Sequence, residues 1–272
     1  MGMEAPDAAL ATEPDMKSSS IERDILGMRV RSMAWEEALD NLDSWLKAKI
    51  GQRIVNFLNA NNANITHGDP AYRRALVNSE LLPDGIGMDI AARVITGEAF
   101  PANLNGTDFI PALLVHVERP LRVALIGGSR EVVAKAAENF TQTTPWHEFR
   151  VISDGYFDEK DSERVLADLA AYDPDLTLVA MGSPRQEIWI AGNIAPGHGR
   201  VVIGVGALFD FVSGQIPRAP RWLREIRLEW LFRLLLEPGR LWRRYIIGNP
   251  LFLYRVYRYR MTANRLETPA AG

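Results

Sequence analysis

Short apolar runs alternate with amphipathic segments along most of the chain. The runs at 122–126, 176–180 and 201–205 are almost continuously apolar, which is typical of strands buried on both faces of a parallel sheet. Other segments carry apolar residues at the three- and four-residue spacing of helices. The patterns predict further strands at 25–33, 53–58, 81–85 and 149–153, and helices at 35–48, 70–79, 88–96, 106–117, 131–140, 162–171 and 184–194.

Strands that alternate with helices predict an α/β fold, with a Rossmann-like parallel sheet flanked by helices. After Pro220 the pattern becomes helical, with segments at 222–237, 239–247 and 251–266, and these are rich in arginine and tryptophan. We therefore expect a disordered tail at 1–20, a Rossmann-like domain at 21–215, a helical appendage at 216–266 and a second disordered tail at 267–272.

The composition is that of an ordinary globular protein, with 47% hydrophobic and 24% charged residues. The absence of cysteine excludes a disulfide framework, a thiolate nucleophile and cysteine-ligated metal sites. The N-terminus lacks the basic and apolar regions of a signal peptide, and no apolar run approaches the ~20 residues of a membrane span. We therefore expect a cytoplasmic protein whose membrane contact is peripheral.

The C-terminal segment has a charge opposite to that of the rest of the chain. Residues 215–265 contain 12 Arg, no Lys and 3 acidic residues, a formal charge of +9, whereas the whole chain carries −3. The arginines are interleaved with Trp, Leu, Tyr and Ile at helical spacing. Such helices suit an anionic membrane surface or a pyrophosphate, to which guanidinium groups bind in a bidentate manner.

Ligands of open parallel sheets bind beyond the carboxyl ends of the strands, so the loops after the predicted strands form the candidate site. Two of these loops lie between a strand and a helix, where backbone amides can hold a phosphate, although a simple tight turn would also explain their glycines. We expect substrate contacts in these loops and in the loop after the last strand, at Gly127, Gly128, Ser129, Gly182, Arg185 and Asp210.

Two further strand-end loops carry groups suited to sugar chemistry. Asp84 lies in a Leu-Leu-Pro-Asp-Gly turn, where a carboxylate can act as a general base if the pocket holds it beside a hydroxyl; an ordinary Asp-Gly turn is the alternative. Four asparagines follow another strand, at Asn59, Asn61, Asn62 and Asn64. Asparagine often caps helices and occupies turns, so one or two should be structural, while the others suit sugar hydroxyls.

Several other sites are excluded by their spacing or position. No complete GxGxxG fingerprint and no P-loop lysine accompany the Gly127 turn, which argues against a dinucleotide or Walker-type nucleotide site. Asp173 and Asp175 form an Asp-x-Asp triplet of the metal-binding kind, but they precede a strand and therefore lie at the wrong edge of the sheet. The histidines show no metal-ligand spacing, so neither a metal nor a cofactor is expected.

Seven stretches, in order, resemble the WecG/TagA/CpsF glycosyltransferases, glycosyltransferase family 26. They are LNANNANI, LLPDGIGMDIAAR, NGTDFIPALL, LIGGS, DGYF, MGSPRQEIWI and GVGALFDFVSGQIPRAPRWLREIRLEWLFRLLLEPGRLWRRY. The resemblance extends over roughly residues 25–245.

The resemblance implies an inverting transferase that moves a hexose or N-acetylhexosamine from a UDP-sugar to an undecaprenyl-pyrophosphate-linked monosaccharide. The reaction would proceed without a metal at the anionic cytoplasmic face of the inner membrane, in the synthesis of bacterial exopolysaccharide or cell-surface polysaccharide. The resemblance assigns the catalytic base to Asp84, a sugar contact to Gln186 and the polar pair of the first loop to Asn59 and Asn61. The arginines that would reach the lipid pyrophosphate are Arg218, Arg221, Arg224 and Arg227.

Two other functions are compatible with parts of the sequence. An NAD-dependent sugar dehydrogenase would need the missing glycine fingerprint. A non-catalytic nucleic-acid-binding protein would use the basic tail, but the interleaved apolar residues favour a lipid surface, and we expect no nucleic-acid partner. The sequence leaves open the donor sugar, with N-acetylmannosamine, glucose and glucuronic acid as candidates, the acceptor sugar, and the formation of a homo-oligomer.

Overall fold

The computed structural model describes residues 21–48, 51–220, 222–223 and 228–267. Within these residues, eight strands form one sheet: Ile21–Ile25 (β1), Met28–Ser32 (β2), Arg53–Leu58 (β3), Glu80–Pro83 (β4), Arg122–Gly127 (β5), Glu148–Ser153 (β6), Leu176–Ala180 (β7) and Val201–Gly204 (β8). The helices of the sheet region are Trp35–Lys47 (α1), Ala60–Ile65 (α2), Pro70–Val77 (α3), Ile86–Thr96 (α4), Gly106–His116 (α5), Arg130–Thr143 (α6), Glu159–Tyr172 (α7), Arg185–Asn193 (α8) and Leu208–Val212 (α9).

The sheet has the order β1-β2-β4-β3-β8-β7-β5-β6. All neighbouring strands are parallel except the edge hairpin of β1 and β2. This confirms the predicted α/β fold with a Rossmann-like sheet flanked by helices. In this order the carboxyl ends of β4, β3, β8, β7 and β5 follow one another along one edge, which makes the loops after these strands neighbours.

Both faces of the sheet are covered by helices. On one face, α1, α5, α6 and α9 bury side chains such as Leu42, Phe109 and Phe209 against the central strands. On the other face, α2, α3 and α4 bury Leu76 and Met88. Each such side chain stabilises the fold by roughly 1.5–3 kcal/mol relative to exposure in water, so the sheet is a rigid support for the loops at its carboxyl edge.

The prediction of a single strand at 25–33 is wrong, because this segment contains the turn of the β1–β2 hairpin. Leu26 and Gly27 occupy the turn with positive φ angles of 57° and 77°. Asp24 Oδ1 accepts a hydrogen bond of 2.7 Å from the Gly27 N–H. Two-residue hairpins with matching twist require such left-handed residues, but a leucine rarely adopts this conformation, and the apolar pattern therefore concealed the turn.

The asparagine cluster forms helix α2, whereas the sequence pattern indicated a loop. Asn59 caps this helix, since its Oδ1 accepts a hydrogen bond of 3.0 Å from the Asn62 N–H. Asn62 is buried, and its Nδ2 donates to the carbonyl of Phe57 at 2.9 Å. The expectation that some of the four asparagines are structural is therefore confirmed.

The described part of the tail is helical, as predicted. It contains Glu229–Leu236 (α10), Pro238–Trp242 (α11), the π-helical segment Arg243–Ile247 and Gly248–Glu267 (α12). No helix in the described ranges combines the length and apolar character that a membrane crossing needs. Helix α11 begins at Pro238, where the predicted segments 222–237 and 239–247 meet. The break predicted at 248–250 is absent, because residues 238–267 are helical without interruption and Pro250 lies in the first turn of α12.

Helix α12 packs into the core beside α2 and α4. Phe252 and Val256 are 0% and 1% exposed. A Cβ added at Gly87, in the first turn of α4, would lie 3.6 Å from the ring of Phe252, so the two helices approach closely. Asn64 Nδ2 also donates to the carbonyl of Gly248 at 2.7 Å. By contrast, α10 and the π-helical segment bury no residue, and they form a separate layer over the carboxyl edge.

Candidate active site

A cavity of about 380 Å³ opens at the carboxyl edge of the sheet. Its floor is formed by the loops after β3 and β4 and by the first turns of α4 and α5. Its roof is formed by α10, the π-helical segment and the start of α12. The polar and charged residues of its lining are Asn59, Asn61, Asp84, Asn103, Asn105, Thr107, Asp108, Glu229, Arg233, Arg244 and Asn249.

Asp84 and Asn59 meet on the cavity floor because β3 and β4 are parallel neighbours. The register pairs Leu58 with Pro83, and the Asp84 N–H donates to the Leu58 carbonyl at 2.9 Å. Asn59 Nδ2 then donates to Asp84 Oδ2 at 3.0 Å. Since Asn59 Oδ1 caps α2, the amide has a single orientation, with its N–H group directed at the carboxylate.

The pKa of the Asp84 carboxyl is set by opposing effects. Burial raises it, because the cavity floor removes water from the charged form. The hydrogen bond from Asn59 and the positive charges of Arg244 and Arg233 act in the opposite direction. A general base is most effective when its pKa lies near the working pH. A carboxyl whose pKa is raised by burial, and whose charged form is stabilised by Asn59 and the two arginines, is therefore suited to take a proton.

Arg233 and Arg244 bring unpaired positive charge to the roof of the cavity. Arg233 lies over the ring of Phe211 at 5.1 Å, and Arg244 lies over the ring of Tyr245 at 5.5 Å. Among the described residues, neither pairs with a carboxylate, and each Nε atom is buried without a hydrogen-bond partner. Guanidinium groups in such positions are suited to bind an anionic ligand. Nowhere in the described ranges do three or more acidic or histidine side chains form a group that could hold a metal ion.

The turn that carries Asp84 is braced by an asparagine that the sequence did not single out. Asn103 Oδ1 accepts a hydrogen bond of 2.7 Å from the Gly85 N–H. Gly85 has a φ of 88°, which a residue with a side chain rarely adopts. Asn61 also lines the cavity, beside this turn, and its contact with a sugar hydroxyl stays a prediction.

The glycine turn after β5 lies farther along the same edge. Strand β5 is four positions away from β4, roughly 19 Å at ~4.8 Å per strand. A Cβ added at Gly127 would lie 2.2 Å from the carbonyl oxygen of Ala180, so this close approach requires glycine. The Gly128 N–H donates to the same oxygen at 2.9 Å, and Ser129 Oγ caps α6 by accepting from the Val132 N–H at 3.3 Å. The turn is thus a tight packing element, and its contact with a phosphate stays a prediction.

Gly182 lies in the loop after β7, and Arg185 is the first residue of α8, which follows this loop. Arg185 donates to the carbonyls of Gly155 and Phe157 at 2.7 and 2.6 Å, and so ties the loop after β6 to α8. Gly182 is exposed and has a φ of 77°. The structure therefore shows a bracing role for Arg185, whereas its contact with substrate stays a prediction.

Gln186 is enclosed by protein atoms. It is 3% exposed and lines neither the cavity nor the cleft beside Asp210. Its Oε1 accepts hydrogen bonds from the N–H groups of Gly182 and Gly206 at 3.2 and 3.1 Å, and its Nε2 donates to Glu187 Oε1 at 3.1 Å. Both ends of the amide are therefore occupied.

Asp210 lies in an open cleft of about 500 Å³ next to the cavity. Burial raises the pKa of its carboxyl, while Arg240 and Arg233 act to lower it. Arg233 lines the cavity and lies over the ring of Phe211, the residue after Asp210, so its positive charge acts on the carboxyls of both Asp84 and Asp210.

Arg218 is held by carboxylates of the protein. Its guanidinium lies 2.6 Å from Asp108 Oδ1 and 3.4 Å from Glu229 Oε1, and it stacks over the Phe211 ring at 5.2 Å. It therefore ties the start of α10 to α5. The other arginines predicted to reach the lipid pyrophosphate, Arg221, Arg224 and Arg227, lie outside the described residues.

Comparison with known proteins decides the family. The sequence model of the glycosyl transferase WecG/TagA/CpsF family matches residues 23–266, nearly all of the described chain. The chain belongs to this family. It is therefore a glycosyltransferase, which confirms the resemblance seen in the sequence motifs and sets aside the dehydrogenase and the nucleic-acid-binding protein.

Two curated relatives belong to Bacillus species and have the same name, N-acetylglucosaminyldiphosphoundecaprenol N-acetyl-beta-D-mannosaminyltransferase. The protein of Bacillus spizizenii (strain ATCC 23059 / NRRL B-14472 / W23) is 33% identical over 234 residues, which cover 81% of this chain and 89% of the relative. The protein of Bacillus subtilis (strain 168) is 32% identical over 202 residues, which cover 74% of this chain and 77% of the relative.

The family motifs place Asp84, Asn59 and Asn61 together, but the sequence did not indicate Arg233 and Arg244. The arginine-rich composition of the tail did indicate that some of its arginines could bind an anionic ligand. Helical spacing alone does not show which of twelve arginines face inward. That choice depends on how α10 and the π-helical segment curve over the cavity, and this curvature is a tertiary property.

Proposed function

We propose that this glycosyltransferase moves N-acetylmannosamine, with inversion, from its UDP-sugar to N-acetylglucosamine linked to undecaprenyl pyrophosphate. The observation that carries the proposal is the carboxylate of Asp84, bound by Asn59 and roofed by Arg233 and Arg244, which have no carboxylate partner in the described part of the chain. The names of both relatives describe this donor sugar and this acceptor, which supports the choice. A hexose, or another N-acetylhexosamine, is the second candidate for the transferred sugar.

In the proposed reaction, Asp84 takes the proton of the acceptor hydroxyl as the hydroxyl oxygen attacks the anomeric carbon. The bond between that carbon and the UDP oxygen breaks, and UDP leaves with the electron pair. Asn59 occupies Oδ2 of Asp84, which leaves Oδ1 to receive the proton. Attack from the face opposite the leaving group converts an α-linked donor into a β-linked product.

The reaction involves two diphosphates, one in the UDP-sugar and one in the lipid-linked acceptor, and the arginines of the roof would bind both. Arg233, which lines the cavity beside Phe211, would stabilise the negative charge that develops on the departing UDP. Arg244, on the π-helical segment, would hold the pyrophosphate of the acceptor. These guanidinium groups supply the charge that a divalent metal supplies in metal-dependent transferases. The nucleotide would then extend along the carboxyl edge toward Gly127, Gly128 and Ser129.

The outer surface of the roof suits contact with a membrane. Five large apolar or aromatic side chains there are more than half exposed, namely Leu235, Ile246, Ile247, Tyr254 and Tyr257. Several arginines lie beside them, including Arg243 and Arg258. An exposed apolar face with neighbouring arginines favours peripheral binding to anionic lipid. The polyprenyl chain of an acceptor held in the cavity would leave directly into such a membrane.

Replacing both Ile246 and Ile247 with glutamate should weaken binding to anionic vesicles by at least ~10-fold, since two apolar side chains would no longer enter the lipid. Cosedimentation with vesicles of phosphatidylglycerol and phosphatidylcholine measures this change. Val115→Glu is the matched control, because Val115 is 56% exposed, as Ile246 is, but lies at the end of α5 away from the roof. Equal binding of the double variant and the wild type would contradict the proposed membrane surface.

The donor is tested with a panel of UDP-sugars and a short-chain polyprenyl pyrophosphate that carries N-acetylglucosamine. In the presence of EDTA, we expect mass spectrometry to detect a product with UDP-N-acetylmannosamine. If a product forms only with UDP-glucose or UDP-glucuronic acid, the proposed donor is wrong, but transfer of a sugar to the lipid-linked acceptor is supported. No product from any donor would contradict the proposed activity, and a strict requirement for Mg²⁺ or Mn²⁺ would contradict the role given to the arginines.

A further inference from the structure

We infer that Gln186 is a positioning residue that joins the loops after β7 and β8 along the active-site edge, and that Glu187 and Ser183 orient its amide. The inference rests on the proposed function and adds to it, because the family resemblance implies instead that Gln186 contacts the sugar. Three features of the structure carry it: the hydrogen bonds of the amide, the lack of space around it, and the buried acid beside it.

The Gln186 amide connects two neighbouring loops through their backbones. Gly182 lies in the loop after β7, and Gly206 lies in the loop after β8. Both N–H groups converge on Gln186 Oε1, at 3.2 and 3.1 Å. A single acceptor shared by two backbone donors fixes the spacing of the loops as well as their conformation, since movement of either loop breaks one hydrogen bond.

No space remains around this amide for a sugar. A Cβ added at Gly204, the last residue of β8, would lie 2.9 Å from Gln186 Nε2 and 2.4 Å from Asn56 Oδ1. The Gln186 side chain therefore passes next to the backbone of β8 and approaches β3, where Asn56 Nδ2 donates to Ser79 Oγ at 3.0 Å. Asn56 lies three residues before Asn59 on the same strand and loop, so the Gln186 amide approaches the strand that carries the catalytic pair.

The acid beside Gln186 determines which end of the amide faces the loops. Glu187 is 2% exposed, and its Oε1 accepts hydrogen bonds from Ser183 Oγ at 2.6 Å and from Gln186 Nε2 at 3.1 Å. Among the described residues, its Oε2 has no hydrogen-bond partner. Burial raises the pKa of this carboxyl and thus favours its neutral form. Because Glu187 offers an acceptor, Gln186 must turn Nε2 toward it and Oε1 toward the two glycines.

The hydrogen bonds of Gln186 should affect the binding of the donor. The loop after β8 leads into α9, which carries Asp210, and the loop after β7 leads into α8, which carries Arg185. Loss of the shared acceptor would let both loops move, so that the donor would bind less well. Asp84 and Asn59 would keep their own hydrogen bond and their place on the floor of the cavity.

The test compares Gln186→Ala with Gln52→Ala. Gln52 is a matched control, since its Nε2 also joins two loop positions, the carbonyls of Ala195 and Gly199 at 3.0 and 2.7 Å, but at the opposite edge of the sheet. In Gln186→Ala we expect the amide protons of Gly182 and Gly206 to exchange roughly 10-fold faster, because each loses a partly buried hydrogen bond. The KM for UDP-sugar should rise in the same variant with a smaller change in kcat, and Gln52→Ala should leave both readouts at wild-type values.

A reciprocal exchange provides the rescue. The double variant Gln186→Glu with Glu187→Gln keeps one amide and one acid in contact and should restore slow exchange at both glycines and a low donor KM. Gln186→Met keeps the side-chain length without the acceptor and replaces the alanine variant if that does not fold. Unchanged exchange in Gln186→Ala, or a fall in kcat with unchanged exchange and KM, would overturn the positioning role. The exchange experiment needs no substrate, so its outcome is independent of whether the proposed donor and acceptor are correct.

Discussion

Replacing Asp84 with asparagine is expected to lower the rate of sugar transfer by about 10²–10⁴-fold, the usual contribution of a general base. The substituted amide has the shape of the carboxyl and can still accept the hydrogen bond from Asn59, so the cavity floor should keep its structure. Binding of UDP, measured by calorimetry, should therefore remain at the wild-type level, while the rate with the lipid-linked acceptor falls.

The pH profile of the wild type provides a second test of the same group. Burial raises the pKa of the Asp84 carboxyl, and a base is active only when deprotonated, so kcat should rise with pH through an apparent pKa above ~3.9, the ordinary value for aspartate. Asp175→Asn is the matched control, because the Asp175 carboxylate also accepts a hydrogen bond, in this case from the Arg122 N–H at 2.9 Å, but at the amino edge of the sheet. Near-normal turnover by Asp84→Asn would exclude Asp84 as the base.

Replacing Arg233 or Arg244 with glutamine is expected to lower kcat/KM by roughly 10- to 100-fold each, since each should lose charged hydrogen bonds to a diphosphate. The two variants should differ in the kinetic parameter that they change. Arg233 lies near both Asp84 and Asp210, so its loss should mainly reduce kcat through the departing UDP. The proposed function assigns Arg244 to the acceptor pyrophosphate, so its loss should mainly raise the KM for the lipid-linked acceptor. Lysine in either place should restore only part of the rate, because it lacks the planar fork of the guanidinium.

The matched control for these variants is Arg243→Gln. Arg243 precedes Arg244 in the π-helical segment, is exposed, and does not line the cavity. Steady-state rates measured with a detergent-soluble, short-chain acceptor separate the two roles from any effect on membrane binding. If Arg243→Gln reduces kcat/KM as much as Arg244→Gln, the effect is one of general surface charge and the assignment of the inward arginines is wrong.

The floor of the site could be predicted from the sequence because it depends on local rules. Asp84 follows a strand in an Asp-Gly turn, and parallel strands bring such turns to one edge of the sheet. The predicted order of strands and helices was sufficient to place the candidate loops together. The contact between Asn59 and Asp84 needed the additional fact that β3 and β4 are direct neighbours, which the pattern does not contain.

The roof and the interior of the site depend on tertiary contacts that spacing does not encode. Arg218 has the same chemistry as Arg233, yet Asp108 and Glu229 neutralise it whereas Arg233 has no carboxylate partner among the described residues. Gln186 lies at a helix start, a position that is often exposed, but the Gly206 loop and Glu187 enclose it. In both cases the deciding partner lies on another element of the fold, so it becomes visible only when the elements are assembled.

The most direct test of the central claim is to determine the structure of the reaction product. The purified protein is incubated with UDP-N-acetylmannosamine and a short-chain polyprenyl pyrophosphate that carries N-acetylglucosamine, and the lipid-linked product is examined by mass spectrometry and by NMR of its new anomeric centre. The proposed function predicts one added N-acetylhexosamine in the β configuration, formed by the wild type and at least ~100-fold more slowly by Asp84→Asn. An α-linked product, or no disaccharide with any UDP-sugar, would contradict it.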